Sequence, residues 1–228
     1  MNDAIVLFSG GADSTTLLYH VLKKLKKSPL ALSFDYQQRH KKRELGCAKK
    51  ICKKLGIPQK ILKIDLGQIG GSPLTDKKLS VPKQSEKQQR LTVVPYRNTI
   101  FITYAAAVAE VEGINEIYIG ACKEDYENYR DCRNTFFRWM ERTLCFGGTQ
   151  EGSIMRVRRP FVNYKKEKIV RLGLKLDVPF ARTWTCYKGR RKPCNSCDSC
   201  RERIEAFMCN GIKDPLYTNA EWERLKNG

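Results

Sequence analysis

Two stretches of this 228-residue chain place chemically competent residues at close spacing. Cys186, Cys194, Cys197 and Cys200 read C-x7-C-x2-C-x2-C. Four thiolates in one short segment can close a tetrahedron around Zn2+ with no position left for water, which describes a structural site. An iron–sulfur cluster is the competing occupant of x2 spacings. The second stretch is Phe8-Ser9-Gly10-Gly11-Ala12-Asp13-Ser14-Thr15-Thr16, directly after the apolar run Ala4 to Phe8. Gly10 and Gly11 let backbone N–H groups turn toward an anion with no Cβ in the way. Ser14 and Thr15 add hydroxyl donors, and a helix N-terminus adds its positive end. The stretch is an anion cradle, and it is neither a G-x-x-x-x-G-K-[ST] loop nor a G-x-G-x-x-G fingerprint. A capped glycine turn would account for Asp13, but not for the two glycines and three hydroxyls together.

The elements that must hold these residues follow from the apolar pattern. A strand over Ala4 to Phe8 runs through the glycine turn into an apolar-periodic helix from Leu17 to Leu25. Leu30 to Phe34 reads as a strand, Arg39 to Leu55 as a basic helix stopped by Gly56 and Pro58, and Ile61 to Ile64 as the next strand. Gly67 to Arg90 has no period and reads as a long loop, of the kind that often serves as a lid. Helices follow over Tyr96 to Glu112, Arg133 to Phe146 and Lys165 to Leu176, with strands over Glu116 to Ile119 and Met155 to Arg159. Strands alternating with helices imply an α/β fold, a doubly wound parallel sheet of about five strands, followed by a helical C-terminal segment that carries the cysteines. No repeat or linker divides the chain, so residues 1–228 read as one domain, with 183–228 its metal-binding segment.

Composition narrows the setting. No apolar run approaches membrane-spanning length. The opening Met1-Asn2-Asp3 lacks the layout of a secretory signal, so a reducing cytoplasm is expected and disulfides are not. Lys+Arg 43 against Asp+Glu 24 gives a formal charge of +19. That suggests anionic partners, but most of the surplus falls on helix faces such as Lys49-Lys50 and Lys53-Lys54, where solvation explains it. Nucleic acid is therefore not the expected partner. Cys47, Cys52, Cys122, Cys145 and Cys209 fall in regular patterns that suit small buried hydrophobes. His20 lies in the first helix and reads as structural, which leaves His40 as the functional candidate of the two histidines.

S-G-G-x-D-S resembles the pyrophosphate loop of the ATP pyrophosphatases, or PP-loop enzymes, which split ATP into AMP and pyrophosphate while adenylating a substrate oxygen. Further landmarks are F-D-Y-Q-Q-R-H at Phe34 to His40, V-P-Y-R-N at Val94 to Asn98, D-Y-E-N-Y-R-D-C-R at Asp125 to Arg133, and T-W-T-C-Y-K-G with P-C-N-S-C-D-S-C from Thr183 to Cys200. In this order they resemble the 7-cyano-7-deazaguanine synthases of queuosine biosynthesis, nearly end to end. The resemblance implies a ligase that takes 7-carboxy-7-deazaguanine, ATP and ammonia to a nitrile through adenylated intermediates, with Mg2+ and Zn2+ as ions and a homodimer as the assembly.

By the same resemblance the ATP site covers Phe8, Ser9, Gly10, Gly11, Ala12, Asp13, Ser14, Thr15, Thr16, Leu17 and Leu18, with Asp13 positioning pyrophosphate. Asp13, Arg97, Arg133 and Lys166 are the expected catalytic charges. Tyr36, Arg39, His40, Asn98, Phe101, Asp125, Tyr126, Asp131 and Cys132 are expected around the substrate together with Arg97 and Arg133. Asp131 would accept from the guanine-like edge, and Phe101 or Tyr126 would stack on the base. Three positions depart from the family's usual residues. Gln37 replaces a glycine, and Arg130 and Asn134 each replace a proline. The alternatives are a related adenylating ligase that stops at an amide, a tRNA thiolation enzyme, and a non-catalytic zinc adaptor.

Overall fold

The computed structural model describes residues 1–82, 89–149, 152 and 154–227. Its centre is one five-stranded sheet, in spatial order β3-β2-β1-β4-β5, in which every neighbouring pair is parallel. The strands are β1 (Ala4–Leu7), β2 (Pro29–Asp35), β3 (Gln59–Lys63), β4 (Glu116–Tyr118) and β5 (Arg156–Arg158). Successive side chains of β1 point to opposite faces. Ala4 and Val6 enter a core with Leu17, Leu18, Ile51, Ile169 and Phe207, while Ile5 enters a second core with Leu32, Phe34, Ala105, Ala109 and Ile117. Helices cover both faces, which is why successive residues of β1 and β2 are buried whichever face they point to.

The strand order reverses beside β1, with β2 and β3 on one side and β4 and β5 on the other. A parallel sheet opens its ligand crevice at such a switch point, beyond the carboxyl ends of the strands. The helices are α1 (Ala12–Tyr19), α2 (Lys41–Leu55), α3 (Arg97–Glu112), α4 (Lys123–Asn128), α5 (Asn134–Gly147), α6 (Lys166–Lys175), α7 (Asp198–Met208) and α8 (Asn219–Lys226).

Three boundaries differ from the expectation for physical reasons. α1 begins five residues before Leu17, because Thr15 and Thr16 bond back to Gly11 O and Ala12 O at 2.7 and 3.0 Å and continue the helix through a polar turn. It ends in a π-helical turn over His20–Lys24. Arg39 and His40 stand before α2 rather than in it. The unassigned stretch after Cys122 is the short helix α4, held at its start by Asp125 Oδ2, which accepts from the Cys122 N–H at 3.1 Å. Of the long loop, 83–88 lie outside the described residues. Its first part is anchored, with Ser72 and Leu74 fully buried. Of the five cysteines expected inside, Cys209 is exposed, because it caps the end of α7.

Glu116 ties together the end of the sheet opposite the crevice. It receives Lys27 Nζ at 2.9 Å, Arg158 Nη2 at 2.6 Å and the Tyr118 hydroxyl at 3.0 Å. Burial alone would raise its pKa, but these donors outweigh burial and hold it at about 2. A depressed carboxylate contributes stability that is present above its ordinary value and lost as pH falls through the folded value. Urea unfolding of Glu116→Gln against the parent should therefore show a deficit at pH 6 that shrinks between about pH 4.5 and pH 2.

Candidate active site

A cavity of about 250 Å3 opens at the switch point, lined by Phe8, Ser9 and Gly11 of the loop after β1, by Ala12, Asp13 and Ser14 at the start of α1, and by Ile119, Gly120 and Ala121 after β4. In the loop after β1, Ser9 Oγ accepts the Gly11 N–H at 3.1 Å and lies 3.0 Å from Ser14 Oγ, so a polar rim of hydroxyls faces the start of α1. Gly10 is required for a reason other than anion approach. Its φ is +84°, and a Cβ there would lie 2.6 Å from Glu44 O and 2.7 Å from Ala48 N, so α2 packs backbone to backbone on the loop. Trp184 closes the loop from the far side, its N–H donating to Gly10 O at 3.0 Å. Gly10, Thr15, Thr16, Leu17 and Leu18 are thus behind the cavity wall. The two threonines and two leucines are fully buried and position the loop from the core side.

Lys166, at the start of α6, reaches into the same cavity. Its Nζ lies 3.4 Å from Asp13 Oδ2 and 2.8 Å from Glu202 Oε2. Burial would lower the lysine's pKa, but Asp13, Glu202 and the neighbouring Cys122 and Asp125 more than offset this and keep it charged. Burial raises the carboxyls of Asp13 and Glu202, with Lys166 only partly opposing it. A carboxyl held above its ordinary value stabilises the fold only while protonated and opposes folding once pH rises through that value. Asp13→Asn should therefore lower nucleotide-dependent activity while changing the melting temperature at pH 8 little, because relief of a buried charge is offset by the loss of a partner for Lys166. Calorimetry and activity on the same sample check both.

The opposite wall carries Tyr36, His40, Arg97, Asn98, Phe101, Asp125 and Cys132. Arg97 opens α3 behind Tyr96, which takes a left-handed φ of 52° that aims the chain into the helix. Burial works against the Arg97 charge, but Tyr36, Tyr187, Cys132 and Asp131 favour it, and the guanidinium stays protonated. Burial in turn pushes the Tyr36 phenol up to about 12. Phe34 stacks on Phe101 at 4.1 Å, and Tyr36 meets Phe101 edge to face at 5.2 Å, giving a flat apolar wall suited to a planar ring. Asn98 Nδ2 donates to Cys132 Sγ and to Asp131 O, both at 3.3 Å, and fixes the turn at Arg130–Cys132.

Four expected substrate residues do not line the cavity. The Arg39 guanidinium donates to the carbonyls of Pro73, Asp76 and Leu79 at 3.1, 2.9 and 2.7 Å and pins the long loop instead. Tyr126 is exposed, Arg133 Nε donates to Tyr126 O at 3.4 Å, and Asp131 contributes its backbone to Asn98.

The sulfurs of Cys186, Cys194, Cys197 and Cys200 all lie within 4.8 Å of one another. Cys194 and Cys200 are 3.9 Å apart, close to the roughly 3.8 Å edge of a tetrahedron with 2.3 Å zinc–sulfur bonds. The Cys194 and Cys197 N–H groups donate to Cys186 Sγ and Cys194 Sγ, each at 3.4 Å, so the backbone already favours thiolates. Asn195 takes the left-handed conformation of the knuckle with φ 58°, and its amide oxygen accepts the Tyr217 hydroxyl at 2.8 Å. The cluster can hold a metal ion, and its four sulfurs fit zinc.

Residues 3–211 match the family model described as queuosine biosynthesis protein QueC. The chain belongs to that family. Similar curated proteins include the 7-cyano-7-deazaguanine synthase of Clostridium kluyveri, 40% identical over 97% of this chain and 100% of the relative. Another, from Thermoplasma volcanium, is 45% identical over 93% of this chain and 89% of the relative. Among solved structures, a U34-tRNA thiolase from Methanococcus maripaludis with its [4Fe-4S] cluster is similar at TM-score 0.52 and 16% identity, covering 99% of this chain and 73% of that one. At that identity it shows a shared fold.

Gln37 and Asn134, where the resemblance implied a glycine and a proline, are each held by contacts of their own. Gln37 sits at φ +65°, the left-handed region that favours glycine. Its N–H donates to Asp35 Oδ1 at 3.2 Å and its amide oxygen accepts Lys41 Nζ at 2.9 Å, contacts that offset the strain. Asn134 opens α5 and accepts Arg159 Nε at 3.3 Å. Sequence reasoning missed Glu202, Glu44, Tyr187 and Trp184. The last two lie within the T-W-T-C-Y-K-G landmark, but neither glutamate had a signal beyond an ordinary helix face.

Proposed function

We propose that the protein is a 7-cyano-7-deazaguanine synthase, an ATP-dependent ligase that converts 7-carboxy-7-deazaguanine and ammonia to the nitrile. The reading is supported above all by one cavity that joins the loop after β1, the charged Lys166 and Arg97, and the Phe34–Phe101 wall, in a chain whose curated relatives carry that name. A carboxylate is a poor electrophile until one oxygen carries a good leaving group. One carboxylate oxygen of the acid attacks the α-phosphorus of ATP, pyrophosphate departs, and ammonia then displaces AMP to leave an amide. A second ATP adenylates the amide oxygen, and loss of AMP and of both amide protons leaves the nitrile.

The chain's own groups divide this work. Ser9, Gly11 and Ser14 bind phosphate oxygens at the start of α1, where the helix end favours negative charge. Lys166 and Arg97 neutralise charge as it builds on the phosphates and carboxylate. Asp13, with Asp125 beside it, would hold Mg2+, which when bound neutralises pyrophosphate oxygens. Phe101 receives the planar base. Zn2+ at the four cysteines would supply no chemistry to the reaction and would fasten the segment that carries Trp184 and α7. The test is incubation with ATP, Mg2+, ammonium and 7-carboxy-7-deazaguanine, with products read by mass. AMP and the nitrile are expected. Amide as the end product, or no AMP, would reject the synthase reading.

A further inference from the structure

We propose that His40 is the general base of the nitrogen step in this cavity, held in its working orientation by Glu44. The assignment rests on the synthase reading. His40 lines the cavity and is 3% exposed, and its Nδ1 has no hydrogen-bond partner among the described residues. A buried imidazole nitrogen left unpaired costs free energy, so such an atom on a cavity wall is a place for a ligand proton.

The other ring nitrogen is accounted for. His40 Nε2 lies 3.4 Å from Glu44 Oε2, and a carboxylate can only accept, so Nε2 is the nitrogen that offers Glu44 a proton and Nδ1 is the one left to meet a ligand. Glu44 is itself fixed: Gln38 Nε2 donates to Glu44 Oε2 at 3.3 Å, and the Gln38 side-chain oxygen accepts the Tyr36 N–H at 2.9 Å. Tyr187 packs on the imidazole with ring centres 5.7 Å apart, and a Cβ on Gly189 would lie 2.8 Å from His40 Cα. The ring therefore has little room to turn. The same first turn of α2 presses on Gly10, which brings this base to the loop where the adenylate forms.

The chemistry needs such an atom twice. At neutral pH the nitrogen donor is mostly ammonium, which has no lone pair to offer. Nδ1 accepts one proton, and the freed lone pair forms the C–N bond at the acyl carbon as the bond to AMP breaks. The displaced AMP carries away the negative charge, and the amide nitrogen and His40 Nδ1 each release a proton to water. In the second stage the amide loses one N–H proton to water as its oxygen is adenylated and keeps the other. Nδ1 takes that proton, the N–H electrons become the third C–N bond, and the C–O bond to AMP breaks.

The test separates adenylation from the nitrogen step in the full-length protein. His40→Gln and His40→Ala should lower carboxylate-dependent ATP–pyrophosphate exchange about ten-fold less than the nitrogen step. Ammonium-dependent AMP release should fall about a hundred-fold. Hydroxylamine, uncharged at neutral pH, should release AMP from parent and variants at similar rates, and added imidazole should partly restore the ammonium reaction of His40→Ala. Glu44→Gln should lower the ammonium reaction about ten-fold. Exchange that falls in parallel with the ammonium reaction, or equal deficits with hydroxylamine and ammonium, would overturn the assignment. Absence of exchange in the parent would remove the synthase reading itself.

Discussion

Lys166→Ala should lower carboxylate-dependent ATP–pyrophosphate exchange about a thousand-fold, because it removes the one lysine that lines the cavity among the described residues. The effect exceeds the loss of one donor. Lys166 touches both Asp13 and Glu202, whose carboxyls burial already raises. Without the cation its opposition to that rise is gone, and two carboxyls that burial disfavours as anions remain beside the loop. Breaking the contacts also costs about 3 kcal/mol of stability. Exchange kinetics together with near-ultraviolet circular dichroism separate the two effects. A folded Lys166→Ala protein with exchange near the parent rate would mean that the site lies elsewhere.

Loss of the metal at the cysteine cluster should be felt in the same place. The four cysteines fasten the start of α7, and Glu202, two residues beyond Cys200, contacts Lys166 at 2.8 Å. The neighbouring Arg203 is fully engaged. It pairs with Asp214 at 2.6 and 2.9 Å and donates to Thr183, Thr185 and Phe180, holding the segment whose Trp184 closes on Gly10. Cys197→Ser, or chelation, should therefore lower stability by about 4 kcal/mol, or on the order of 10 °C in melting temperature for a chain of this length. Exchange should fall with it, and proteolysis within 183–208 should rise. Metal analysis of the parent should find about one zinc per chain. Unchanged melting after complete chelation would show that the cluster is not a structural site.

Much of the architecture was legible because a buried parallel sheet writes itself as short apolar runs separated by helices. Ala4 to Phe8 and Leu30 to Phe34 announced β1 and β2, and the order of the glycine loop after β1 located the crevice. The cysteines were legible because thiolate chemistry needs tight spacing. What the sequence hid were contacts between distant segments. Arg39 looked like a substrate residue from its place beside His40, yet three loop carbonyls use its guanidinium. Gly10 looked like a phosphate glycine, yet the approach of α2 requires it. Glu202 lies on an ordinary polar helix stretch, and only the packing of α6 against α7 brings it to Lys166. Gln37 shows the reverse case, in which a left-handed residue that is not glycine is tolerated because Asp35 and Lys41 hold the strained turn.

Adenylation of a carboxylate and then of an amide oxygen sends both oxygens of the acid out on AMP, which 7-carboxy-7-deazaguanine labelled with 18O in both carboxylate oxygens makes visible, with AMP read by mass. Two AMP should form per nitrile, each carrying one 18O, with no label in pyrophosphate or water. Unlabelled AMP, or ADP in its place, would contradict the account.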